Sequence, residues 1–377
     1  MIYLFMACIC VFFGILADMV KARILDGNLE YASPASIFMA KRYYLILLIM
    51  AFIPLFYIGA IRYFVGIDYT TYTNYQIPHV LNGDTRVKVE YLYKQVIYLG
   101  NWISNGKSYQ PIFVITQGII TLFLFLAVKN TSKDTGLSIW IFVCSSFYAF
   151  SLSGMRQAIG SVIFLYALKF IKNKNLKMYV LFLVIAVLFH SSALIYVAAS
   201  VFLFFNLKID YTMIALPIIY LASNIIFKII LFISNLTGLY SDYFTGVFNV
   251  IYFRPVQIFY ILAVSLSIIV ILKITEYQYD DKVMNFMLSI QSVLSIVCAL
   301  VTIIPSSSRL IYGLLPIHIL LIPNVLNRIE NKELRFSIKI VVYLIYILLF
   351  YRCIIIGNYY ETLPYKTIYS GINNFLN

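Results

Sequence analysis

The chain is built from long apolar runs separated by short polar turns. Eleven runs stand out, at 1–20, 43–61, 111–128, 137–152, 157–171, 178–205, 211–233, 256–272, 283–304, 310–326 and 336–356. A membrane-crossing helix needs ~20 apolar residues, so most of these runs have crossing length. Two flank a basic turn carrying Lys169, Lys172, Lys174 and Lys177, within the stretch 151–194. That stretch has polar groups at both far ends, Arg156 and Gln157 on one side and His190, Ser191 and Ser192 on the other. If the turn lies on one face of a membrane, a helical hairpin lifts Arg156 and His190 together to the opposite face. The sequence shows no soluble domain, long linker or internal repeat, so residues 1–377 read as one transmembrane domain. Its main extracytoplasmic loop is 62–110, where 89–103 has the pattern of an amphipathic surface helix. A shorter polar segment follows at 234–254, and a tail begins after Gly357.

Composition supports this reading. Hydrophobic residues make up 62% of the chain and charged residues 11%, against about 25% charged in soluble domains. The expected fold is an all-α polytopic membrane protein. Tyrosine (33) and phenylalanine (30) far outnumber tryptophan (2). They suit an interfacial aromatic belt and also surfaces that stack on sugars. The net charge of +13 is spread over short loops, which marks topology and gives no sign of a nucleic-acid partner. Cys8, Cys10, Cys144, Cys298 and Cys353 have no metal-ligand spacing and read as small core residues. Residues 1–20 have neither a basic start nor a small-residue cleavage site and read as a first spanning helix, not a cleaved signal.

Lys and Arg in short loops set orientation. Lys21, Arg23, Lys41 and Arg42 place the first loop inside, which puts the N-terminus and 62–110 outside and the 169–177 turn inside. Run 178–205 then breaks the alternation. Counted once, it would leave the basic loop 327–335 outside. A break near His190 restores the order and gives about twelve membrane segments, some short or re-entrant, the competing reading being one long tilted helix. With this topology Arg62, Arg156, Arg254, Arg309 and Arg352 all fall near outer helix ends, where the charge rule disfavours them. Guanidinium groups bind phosphate bidentately, so the set suggests a phosphate or pyrophosphate site. Snorkelling to lipid headgroups would account for any one of them.

Three constellations could carry chemistry. In RYFVGIDYTTYTNYQ, Arg62 precedes Asp68 across Gly66, a residue that permits unusual backbone angles. Asp68 could act as a general base or hold sugar hydroxyls, or could simply pair with an arginine. Arg156 and Gln157 open a helix, whose free N–H groups favour an anion, and Gly154 and Gly160 would allow close approach. His190 sits near membrane depth, where an ionisable group is a functional candidate. The bland account is a neutral histidine hydrogen-bonded in the bundle. Further on, PSSSRLIYGLLP repeats the pattern of an arginine at an outer helix start, with serines for caps, and Arg254 precedes Pro255. Asp280 and Asp281 look like a metal pair but read better as a solvated turn. No metal cluster and no nucleotide loop is evident, so neither metal nor cofactor is expected.

The segments RYFVGIDYTTY, GMRQAIG, AVLFHSSALI and SSRLIYGLLP, in this order, resemble those of the EpsG/Wzy-type polysaccharide polymerases of bacteria, the family of O-antigen, capsule and exopolysaccharide polymerases. The resemblance spans most of the chain and rests on four short motifs. It implies a multi-spanning glycosyltransferase of GT-C-like architecture in the bacterial cytoplasmic membrane. Such an enzyme joins oligosaccharide units carried on undecaprenyl pyrophosphate at the outer face, with inversion. The growing chain passes from its lipid carrier to the next lipid-linked unit, and a flippase and chain-length regulators would be further partners. On this reading Arg156, Arg309 and Arg254, with Arg62 in support, stabilise the leaving pyrophosphate. Asp68 or His190 would take the acceptor's proton, and Gln157, Tyr69, Tyr72 and Tyr312 would contact pyrophosphate or sugar. A flippase or other transporter is the alternative, but it should show internal repeats and midplane charges. A non-catalytic scaffold is a third possibility and would leave the arginines replaceable.

Overall fold

A computed structural model describes residues 2–25, 34–237 and 254–370, together with 244 and 251. Among the described residues every named element is helical. The contacts divide the chain into two compact units: Met1–Leu194 with His318–Asn327 and Asn331–Asn377, and Ile195–Ile317 with Arg328–Glu330.

The first unit begins with α1 (Ile2–Leu25) and α2 (Pro34–Ala60), which pack on each other. A surface helix α3 (Tyr91–Ile103) follows where the amphipathic pattern placed one, with Tyr93, Val96, Ile97 and Gly100 turned inward. Then come α4 (Gln110–Thr131), α5 (Thr135–Cys144), α6 (Phe147–Ser153), α7 (Met155–Lys172) and α8 (Leu176–Phe189). Helix α7 is almost wholly buried between α4 and α8. Its sequence supplies small residues for close packing: a Cβ on Gly160 would come within 3.3 Å of that of Ala193. Asp134 and Asn175 cap α5 and α8 by accepting a backbone N–H from the first turn.

The expected run 137–152 is two helices bent by 56°. The bend falls at Ser146, whose φ of 70° interrupts the helical ladder. The break expected near His190 is present. Helix α8 stops at Phe189, His190 is extended, and the chain resumes as 3-10 turns around a short helix Leu194–Ala199.

In the second unit α9 (Ile209–Leu221) and α10 (Ser223–Thr237) bend by 82°, and α11 (Pro255–Ile274), α12 (Lys282–Ala299) and α13 (Ser307–Leu314) follow. Helix α12 is the centre, contacting α9, α11 and α13. A polar seam joins α11 to α12: Gln291 Nε2 donates to Ser265 Oγ at 2.7 Å, and Ser265 and Ser295 lie 2.8 Å apart. Such pairing satisfies polar groups where water is scarce. Asp280 and Asp281 are exposed, as a solvated turn would be, and Asp281 also caps α12 by accepting the backbone N–H groups of Val283 and Met284. The chain then returns to the first unit through α14 (His318–Leu326) and α15 (Lys332–Phe350).

Seven of these helical stretches are long and apolar enough to cross a membrane, and nine if each bent pair is one span. The expectation of about twelve included short and re-entrant segments, and two shorter apolar helices, Leu176–Phe189 and Ser191–Leu203, stand beside these among the described residues. Four cysteines are buried as expected, but Cys8 is exposed. Most of the expected polar segment 234–254 lies outside the described residues.

The tail after Gly357 is not a loose end. Residues 358–370 lie along the 61–67 segment: Tyr63 N–H donates to Lys366 O (3.0 Å), Ile368 N–H to Ile61 O (2.9 Å) and Ile67 N–H to Tyr360 O (3.0 Å). These bonds, with the Tyr3 hydroxyl on Thr362 O, fix the backbone that carries Arg62.

Candidate active site

Glu90 is the hub of the first unit's polar end. It lies just before α3 in extended conformation, and its carboxylate gathers groups from two other elements. Arg156, in the first turn of α7, donates from Nη1 to Glu90 Oε2 at 2.5 Å. His190, just past α8, places Nδ1 2.7 Å from Oε1. The same oxygen accepts the Ser191 backbone N–H at 3.0 Å and the Ser191 hydroxyl at 3.3 Å. The three charged side chains keep only 15% (Arg156), 18% (Glu90) and 21% (His190) exposure. The hairpin expectation thus holds: Arg156 and His190 do meet, through a carboxylate.

Burial alone would raise the Glu90 carboxyl's pKa. The hydrogen bond from His190, the Arg156 and His190 charges and the Ser191 N–H more than reverse this and bring it down to about 2. As an anion Glu90 can only accept, so His190 Nδ1 carries the proton that faces it. His190 Nε2 has no protein partner among the described residues.

Tyrosines surround the two arginines of this region. The Tyr72 hydroxyl faces the side chain and backbone N–H of Arg156. Burial raises its pKa, Arg156 works against that, and the net direction is up. The Tyr72 ring sits 6.1 Å from that of Tyr93, whose hydroxyl pairs with Thr116. Arg62 is 1% exposed, the largest of the fully buried side chains. Its Nη2 contacts Met155 Sδ at 2.8 Å, its guanidinium stands 5.3 Å over the Phe113 ring, and Tyr148, Tyr93, Tyr69 and Tyr3 are its electrostatic neighbours. Two of its nitrogens, Nε and Nη1, have no partner among the described residues, and no carboxylate pairs with it. Nε of Arg156 is likewise buried without a partner. A buried guanidinium with unpartnered donors is costly to keep.

The other expected residues sort as follows. Asp68 stands at the start of a short helix, with its N–H on Ser153 Oγ at 3.3 Å; its carboxylate makes no ion pair among the described residues, so the simple arginine pairing does not occur. Gly66 has φ 103°, the unusual backbone angle expected there, and abuts Leu152 O. Tyr69 is buried, stacked on Phe113 with centroids 4.7 Å apart, and Gln157 is buried in α7. Arg254, Arg309 and Tyr312 belong to the second unit. There Arg254 Nη1 reaches the Tyr312 hydroxyl at 3.5 Å, and Arg309 precedes Tyr312 by about one turn of α13. Arg352 is exposed at the end of α15, as a snorkelling side chain would be.

Sequence reasoning missed the hub. Residue 90 falls within the amphipathic pattern 89–103, although a carboxylate just before such a helix is a loop position that can reach inward. Among the described residues no group of His, Cys, Asp and Glu could hold a metal ion.

The fold and this cluster define a polytopic helical membrane protein with a charged, partly water-excluded site at one end of its helices. The family model described as the EpsG family matches residues 45–367, and the chain belongs to that family. No curated protein and no solved structure matches it.

Proposed function

We propose that this protein is a polysaccharide polymerase: a membrane glycosyltransferase that joins undecaprenyl-pyrophosphate-linked oligosaccharide units at the outer face of the cytoplasmic membrane. The observation that carries the reading is the convergence of Arg156 and His190 on Glu90, with the buried Arg62 cation nearby. Family membership supports polysaccharide polymerisation as the class of activity.

The reaction needs two services, and the cluster offers both. The acceptor sugar hydroxyl attacks the anomeric carbon of the donor, and the bond from that carbon to the pyrophosphate oxygen breaks. The electron pair leaves with the pyrophosphate. Its charge is met by the Arg156 guanidinium, with the buried Arg62 cation adding to the positive field, preorganised in a site that excludes much of the water. The hydroxyl proton passes to His190 Nε2. Glu90 holds the imidazole tautomer through Nδ1 and stabilises the imidazolium that forms, the logic of a carboxylate–histidine pair in other transfer enzymes. This favours His190 over Asp68 as the base. Attack opposite to the leaving group gives inversion.

The test is elongation by the purified full chain with lipid-linked repeat units in detergent. The wild type should lengthen chains, while Arg156→Ala and His190→Gln, folded to the same extent, should lose at least about 100-fold in rate. Undiminished elongation by both variants would overturn the assignment. Movement of unextended units across vesicle membranes, without elongation, would instead support a flippase.

A further inference from the structure

The first unit has a second charged site at its other end. Helix α4 starts beside the active cluster, where Gln110 Nε2 bonds the carbonyls of Ala60 and Arg62. Its 22 residues rise about 33 Å, one hydrocarbon thickness. At its far end lies a cavity of about 330 Å³ between the α4–α5 turn, the end of α14 and the first turns of α15. That is room for about ten waters at roughly 30 Å³ each.

Four cations line the cavity, Lys133, Lys332, Arg335 and Lys339, against one carboxylate, Asp134. That carboxylate is already used. Its Oδ1 caps α5 through Leu137 N–H, and its Oδ2 pairs with Lys339. Lys133 and Lys332 have no ion-pair partner among the described residues, and Arg335 reaches only the Asn327 carbonyl, at 3.5 Å. The cavity therefore holds about three uncompensated positive charges. The positive-inside rule explains cations in this loop but not their arrangement around one half-open cavity. The rest of the lining is apolar: Pro323, Leu326 and Phe336, the last 64% exposed. Cations above an apolar floor suit a ligand with an anionic head and a hydrocarbon shoulder.

We propose that this cavity binds a phosphate-bearing anion of the glycerophospholipid headgroup class, held by Lys133, Lys332 and Arg335 with its glycerol end over Leu326 and Phe336. Bound there, the anion bridges the α4–α5 turn to α15. The same chemistry could be supplied by a free phosphate ester, and the experiment separates the two sources. The site is independent of the polymerase reading, since none of its residues belongs to the Glu90 cluster.

The full chain, stripped of lipid in detergent, is melted with phosphatidylglycerol, phosphatidylcholine or glycerol 3-phosphate added. Phosphatidylglycerol should raise the melting temperature by about 5 °C at saturation, and phosphatidylcholine should not. The double variant Lys332→Gln/Arg335→Gln should melt like the wild type without lipid and lose most of the lipid shift. Lys174→Gln/Lys177→Gln removes the same charge from the α7–α8 turn, outside the cavity, and should keep it. An equal shift from glycerol 3-phosphate supports the site with a soluble anion as its source. The proposal fails if no phosphate compound shifts the melt, if phosphatidylcholine does so equally, or if both double variants lose the shift alike.

Discussion

Replacing Glu90 with Gln removes the one charge on which the candidate site is centred. Arg156 Nη1, His190 Nδ1 and the Ser191 N–H and hydroxyl all point at its two oxygens. An amide supplies one acceptor oxygen and turns two donors toward groups that are themselves donors. The depression of the Glu90 pKa from its ordinary 4.5 to about 2 sets an upper figure of about 3 kcal/mol, at about 1.4 kcal/mol per pH unit. Severing a fully buried pair costs about 3–5 kcal/mol, and the 15–21% exposure of these side chains lets water screen part of it. We therefore expect a loss of about 2 kcal/mol, or a melting temperature lower by about 4–8 °C for a unit of this size. Intrinsic tryptophan fluorescence of the full chain in detergent would report it. The pH dependence is a second check. A carboxyl more acidic folded than unfolded stabilises the folded state above its unfolded pKa, and the effect fades as pH falls toward the folded value. The wild-type advantage over Glu90→Gln should thus be flat above pH 4.5 and shrink from there toward about 2. Elongation should fall at least about 100-fold, because the base loses its orienting partner. Equal melting temperatures and equal elongation rates across this pH range would refute the hub role.

Arg62→Met should separate stability from function. It removes a buried guanidinium with two unpartnered nitrogens, so the melting temperature should hold or rise, by the equivalent of ~1 kcal/mol, while elongation falls sharply; a destabilised variant would contradict the reading of Arg62 as a stored cost. Gly66→Ala puts a Cβ 2.6 Å from Leu152 O at φ 103° and should destabilise by about 1–3 kcal/mol, read from the same melts. Asp281→Ala removes the α12 cap and should cost ~1 kcal/mol with elongation unchanged; a lost reaction would place the acidic pair in the chemistry.

Local pattern was enough to determine the class of this protein and half of its site. Apolar runs of crossing length can be satisfied only by helices, since a bilayer offers no other partner for backbone N–H and C=O groups. The basic turn at 169–177 and the polar ends of its two helices brought Arg156 and His190 to one face by length alone. Even the break at His190 was legible, because a charge alternation that must close leaves one run to be split. Tertiary structure decided what those residues do. Glu90 lies 66 residues from Arg156 and 100 from His190, and no periodicity links a loop carboxylate to helix ends that far away. The same holds for Arg62, whose neighbours Phe113, Met155 and Tyr148 come from three other elements, and for the 358–370 segment that fixes its backbone. Sequence could place each charge at one end of a helix; only packing could show which charges compensate one another and which stay without a partner.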